Sequence, residues 1–120
     1  MITVLKNTPS NVVAFRTTQE VTRKNYDEVV IPQVDKLIKE KGVLNYVMVI
    51  DTSLSNFTAG AWLRDELLGI KKLGKWHKGA IVSNSQIAKT LAGIFDMLAP
   101  GDFKSFNTGE LDEALEWTAN

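Results

Sequence analysis

Five consecutive apolar residues, Tyr46-Val47-Met48-Val49-Ile50, end at Asp51 and run into the segment DTSLSNFTAGAWLRDELLGIKKL. A short unbroken run of this kind reads as a strand buried on both faces. After a short polar loop the pattern turns amphipathic from Phe57-Thr58, with Leu63, Leu67 and Ile70 one to two helical turns apart. A doubly buried strand needs cover on both sides, and helices supply it, so the chain is confined to the α/β class. Open α/β sheets place their sites at such strand-loop-helix junctions.

The rest of the chain keeps the alternation. Met1 to Lys6 and Val12 to Arg16 read as strands around the turn Asn7-Thr8-Pro9-Ser10-Asn11, an antiparallel hairpin. A helix follows, capped by Thr17 with Glu20 or by Thr22. Its stripe is Tyr26, Val29, Val30, Val34, Leu37, Ile38 and Lys41, and Gly42 ends it. Pro32 lies inside the stripe without breaking its phase, which predicts a kink near residues 28 to 31. Thr58 caps a second helix to Leu73. Gly79 to Ser83 is a fourth strand, and Asn84 or Ser85 caps a third helix over 86–98. Asp102 to Phe106 is a fifth strand, and Asn107 with Glu110 opens a last helix to Trp117. Short loops throughout predict one domain spanning 1–120. The sheet is expected to be single, mixed and mostly parallel, with right-handed crossovers.

Composition narrows the function. Fourteen basic and 14 acidic residues cancel, which argues against nucleic acid as a partner. There is no cysteine, so thiol nucleophiles, disulfides and thiolate metal sites are excluded. The N-terminus lacks a signal-peptide pattern and no apolar run approaches membrane-span length, so the expected location is cytoplasmic. No nucleotide-loop, zinc-protease or nucleophile-elbow motif occurs. No cofactor and no metal site are expected.

Several residues qualify as candidates for binding. Asp51 ends a central strand, where it either caps its loop or serves a site. Ser53, Ser55, Thr58, Ser83, Asn84 and Ser85 gather at two strand ends, where they either cap helices or receive an anion. His77, the single histidine, reads as a solvated loop residue, with a general base as the alternative. Lys71, Lys72, Lys75 and Lys78 surround Trp76, either as a solvated helix end or as a contact for an anionic membrane surface or an acidic partner. Nine of the 13 residues from Ile87 to Ala99 are apolar, more than one sheet-facing stripe needs. Trp62, Trp76 and Trp117 add apolar area. That surplus predicts a homodimer, another protein partner or a lipid-like ligand.

The segments NFTAGAWLRDELLGIKKL, GAIVSN and FNTGELDEALEW, in this order and spacing, resemble the bacterial SpoIIAA-like proteins. These are relatives of STAS domains that are also grouped with SEC14-type (CRAL-TRIO) lipid-binding domains. The resemblance covers nearly the whole chain. It implies a mixed sheet with β-α turns in a superhelix and an antiparallel first strand. STAS anti-sigma-factor antagonists carry an Asp-Ser-Ser-Gly-Leu type motif at the junction, phosphorylated on serine. The matching positions here are Ala59, Gly60, Ala61, Trp62 and Leu63, so the phosphorylated serine falls on Gly60. The resemblance therefore implies a non-enzymatic binding or regulatory domain without that switch, the alternative being a carrier of an apolar or amphiphilic ligand. A weaker third reading is a hydrolase using Asp51 or His77. The candidate ligand- or partner-binding residues are Asp51, Ser53, Phe57, Thr58, Trp62, Trp76, Ser83 and Asn84.

Overall fold

The computed structural model describes residues 1–53, 61–71, 74–84, 86–87 and 102–120. The described elements run β1 (Ile2–Val4), β2 (Val13–Thr17), α1 (Arg23–Lys41), β3 (Leu44–Ile50), α2 (Ala61–Lys71), β4 (Trp76–Val82), β5 (Asp102–Phe106) and α3 (Leu111–Ala119). They build one five-stranded sheet in the order β1-β2-β3-β4-β5. β1 pairs antiparallel with β2, as the hairpin reading expects, and every later pair is parallel. The predicted class, α/β with a mixed and mostly parallel sheet, is therefore the observed one.

Each parallel step moves the chain one strand over in the same direction. α1 and α2 both pack on the same face, as crossovers of a single hand require. All seven residues of β3 are buried, so its side chains divide between two cores. Tyr46, Met48 and Ile50, with Phe15 and Ile81, face Tyr26, Val30, Val34 and Leu37 of α1 and Trp62, Leu67 and Ile70 of α2. Val47 and Val49, with Ala14, Ala80, Val82 and Phe106, face Ala114 of α3. Small residues on this second face let a helix of only nine residues lie close and cover it.

The ends of α1 follow local chemistry. Thr22, and not Thr17, is the N-cap, and its Oγ1 accepts from the Asn25 amide at 3.1 Å. Thr17 belongs to β2 instead, where its hydroxyl donates to the Val49 carbonyl at 3.1 Å. Gly42 adopts φ 77° and returns its N–H to Ile38 O at 2.8 Å, the left-handed stop that glycine makes without a Cβ penalty. The helix is continuous through Pro32, whose side chain is exposed.

α3 has no basic residue in its last turn. Its free carbonyls are served from the sheet. Lys78 Nζ donates to Trp117 O at 3.1 Å and Asn11 Nδ2 to Ala119 O at 2.8 Å. Lys78 also lies 5.0 Å from the centre of the Trp117 ring. A cation from β4 thus supplies the charge that a helix C-terminus favours. At the other end Glu110, not Asn107, is the N-cap residue, and its carboxylate accepts from the Asn107 amide at 2.7 Å across the preceding turn.

Candidate functional site

The parallel register puts the C-terminal ends of β2, β3, β4 and β5 on one edge of the sheet. Asp51, Ser53, Ser83 and Asn84 lie along it. Their polar groups are used locally. Asp51 N donates to Thr17 O at 2.9 Å, and its carboxylate meets Arg16 Nη1 at 3.3 Å in an exposed pair. Thr52 Oγ1 donates to Gln19 O at 3.0 Å. Ser83 N donates to Phe106 O at 3.0 Å, while Ser83 Oγ donates to Asn84 O at 3.2 Å. Asn84 Oδ1 accepts from the Ile87 amide at 2.9 Å, so Asn84 is the cap at the start of the predicted third helix. Of these residues Asn84 makes a helix cap, while Ser83 bonds to the end of β5 and to its neighbour's carbonyl. Ser53 is exposed at the edge. Phe57, Thr58, Ser55, Ser85 and Gly60 lie outside the described residues, as does all but Ile87 of the segment 87–99 that carries the surplus apolar residues.

β4 begins at Trp76, three residues earlier than its sequence pattern predicts. The Gly/Lys-rich connection becomes strand because β3 and β5 flank it and supply ladder partners, Leu44 opposite Trp76 and Asn45 opposite Lys78. His77 is therefore a strand residue and not a loop residue. Its Nδ1 lies 2.7 Å from Asn45 Oδ1. Asn45 Nδ2 already donates to Asn11 O at 3.0 Å, so its Oδ1 is the acceptor and His77 Nδ1 the donor. Lys78 is committed to α3, which separates it from the exposed Lys75.

Trp62 and Trp76 are inner-face residues. Trp62 packs edge-on to Tyr26 at 5.6 Å, and Trp76 edge-on to Tyr46 at 5.6 Å and to Phe103 at 5.0 Å. The two phenols join at 2.9 Å, fully buried. Burial, above all, holds both far above the usual tyrosine range, so they stay neutral. Gly79 makes this packing possible: a Cβ there would stand 2.7 Å from Cε1 of Phe103. The gap beside Trp76, Tyr46 and Phe103 is only about 10 Å³, room for one water and no ligand. Trp76 Nε1 is buried there with no acceptor among the described residues.

Open space lies elsewhere, between α1 and α2. A groove of about 410 Å³ is lined by Arg23, Asp27, Ile31, Val34 and Asp35 of α1 and by Asp65, Glu66, Gly69 and Ile70 of α2. Arg23 Nε holds Glu66 Oε1 at 2.8 Å. The Glu66 side chain is 10% exposed. Burial raises its pKa first of all; the Arg23 hydrogen bond opposes this, and the Asp27 carboxylate adds to it. The sequence pattern places Asp65 and Glu66 on a solvated helix face and gives no sign of Asp27, Asp35 or Gly69. Their convergence depends on how two helices pack, which a single stripe does not encode. Among the described residues, no three His, Asp or Glu side chains gather as a metal site. No described helix is long and apolar enough to cross a membrane.

Residues 12–119 match the SpoIIAA-like family. The chain belongs to that family. A crystal structure of an uncharacterised DUF3478 protein with a SpoIIAA-like fold, from Shewanella loihica PV-4, superposes with a TM-score of 0.67. It is 18% identical, and the alignment covers 98% of this chain and 93% of that one. At that identity the likeness establishes the fold. Among curated proteins no relative matches. The arrangement seen here is a mixed sheet, parallel from β2 onward, with α1 and α2 on one face and α3 on the other.

Proposed function

We propose that this SpoIIAA-like domain is a non-enzymatic interaction module that binds another protein through the exposed flanks of α1 and α2 and the adjoining end of β3. The observation that carries the reading is the contrast between interior and surface. The described core is filled by aromatic packing down to a gap of about 10 Å³, whereas a groove of about 410 Å³ opens between the two helices. A lipid carrier needs a cavity of several hundred Å³ that encloses its cargo. The Asn84 side chain caps a helix start, the Ser83 hydroxyl bonds the Asn84 carbonyl, and Asp51 pairs with Arg16, so the described edge offers no acid–base pair within hydrogen-bond reach of each other. The family membership supports a regulatory or interaction role of this general kind.

The test is photocrosslinking in the native host. A benzophenone side chain is placed in turn at Asp35 in the groove, at Ser53 on the β3 edge and at Lys104 on the opposite face. A discrete protein adduct at Asp35 or Ser53, absent at Lys104, is the expected result. Adducts at Lys104 alone, or adducts of lipid only, contradict the reading.

A further inference from the structure

The groove between α1 and α2 joins two properties. Its floor is apolar, made by Ile31, Val34 and Ile70, and Gly69 leaves it open: nothing lies within 4 Å of where a Cβ would stand. Its walls carry Asp27, Asp35, Asp65 and Glu66 against Arg23 alone, a net charge of −3. The whole chain is neutral, so this negative excess is local to the groove and is balanced by basic residues elsewhere. Resting on the interaction-module reading, we propose that this groove docks a basic amphipathic segment of a partner protein, with apolar side chains on the floor and Lys or Arg side chains against the acidic walls.

Three features support this occupant. The lining follows helix ridges: Asp27, Ile31, Val34 and Asp35 fall on one side of α1, and Asp65, Glu66, Gly69 and Ile70 on the facing side of α2. Each ridge offers acid and apolar contact within two turns, the pattern that a helix or extended segment with alternating basic and apolar anchors fits. The walls are also under-neutralised. The single guanidinium is bound to Glu66, while Asp27, Asp35 and Asp65 are exposed. An incoming cation meets exposed carboxylates, of which Asp27 also shares a hydrogen bond with Glu66. Finally, the sign of the charge excludes an anionic bilayer as the occupant, because like charges repel. A small polycation satisfies the walls but leaves the floor unused.

Binding is linked to protonation at Glu66. A cation beside it favours the carboxylate, so affinity rises as pH increases through its titration. Arg23, Asp27, Asp35 and Asp65 are the charged groups that face it in the groove.

The test uses the full chain as bait for a library of short random displayed peptides. Selected peptides are then bound to the wild type and to the Asp65→Lys, Gly69→Leu and Ser53→Trp variants. Gly69→Leu fills the floor and leaves every charge in place; circular dichroism checks that each variant is folded. The expected result is enrichment of Lys or Arg together with apolar residues, and weakening of about tenfold or more by Asp65→Lys and by Gly69→Leu. Neutral or acidic winners overturn the proposal, as does full competition by spermidine, which ignores the floor. Peptides blocked by Ser53→Trp but not by Gly69→Leu overturn the groove and leave the interaction module standing. Failure to select any peptide counts against both.

Discussion

Glu66 shows how one side chain is pulled three ways. Its carboxyl is nearly enclosed, bonded to Arg23 at 2.8 Å and set beside the Asp27 carboxylate. Desolvation and the like charge outweigh the guanidinium, so the folded chain holds this proton more tightly than the unfolded one does. The stabilisation it brings is complete below the ordinary value of 4.5 and is lost as pH rises through the raised folded value. Glu66→Gln removes that titration and leaves Asp27, Asp35 and Asp65 in place. Urea unfolding from about pH 4 to about pH 7 should show the wild type losing stability relative to Glu66→Gln as pH increases. Parallel pH profiles would show that Arg23 neutralises Glu66 in full. Such pairings were not legible in the sequence. Arg23 and Glu66 stand 43 positions apart, and nothing in either helix's own pattern brings them together. Trp76 was legible as a large apolar residue, but its place in β4 was not, because its strand partner, Leu44, comes from β3.

α1 tests how far a local rule survives in tertiary context. Its buried residues Tyr26, Val30, Val34 and Leu37 follow the stripe seen in the sequence, and Thr22 and Gly42 close its two ends. These are short-range signals, so they were readable. Pro32 breaks the local rule, since it denies the Glu28 carbonyl a helical donor. Its ring is exposed and contributes nothing to either core cluster. Replacing it with alanine should therefore restore one hydrogen bond at no packing cost. The expected gain is about 1 kcal/mol or more in chemical denaturation, reduced by the greater freedom of the unfolded chain. A loss of stability would mean that the packing of Val30 and Val34 needs a bend imposed by the ring. In α2 the predicted stripe residues Leu67 and Ile70 are buried, whereas in α3 the buried residues are Ala114 and Thr118, with Trp117 only partly covered. What the stripes left out was which face each helix takes. α3 on the far side follows from the small residues Ala14, Ala80, Val47 and Val49, which only alternation along neighbouring strands makes into one surface.

The molecule as a whole is a sheet with two unequal covers. Among the described elements, α1 and α2 cover one face over an aromatic core, and α3 covers the other, clamped by Asn11 and Lys78. The order and direction of the strands were legible because alternating strand and helix patterns permit few topologies. The choice between a carrier and an interaction module was not legible, because large apolar residues in a sequence serve a filled core and a lined cavity alike. The packing of Tyr26, Tyr46, Trp62, Trp76 and Phe103 fills the described part of the inner core, which supports the interaction module proposed above. Native mass spectrometry of the freshly purified protein tests that claim most directly. The account predicts the mass of the polypeptide with no amphiphile retained; a stoichiometric lipid-like adduct that survives desalting would contradict it.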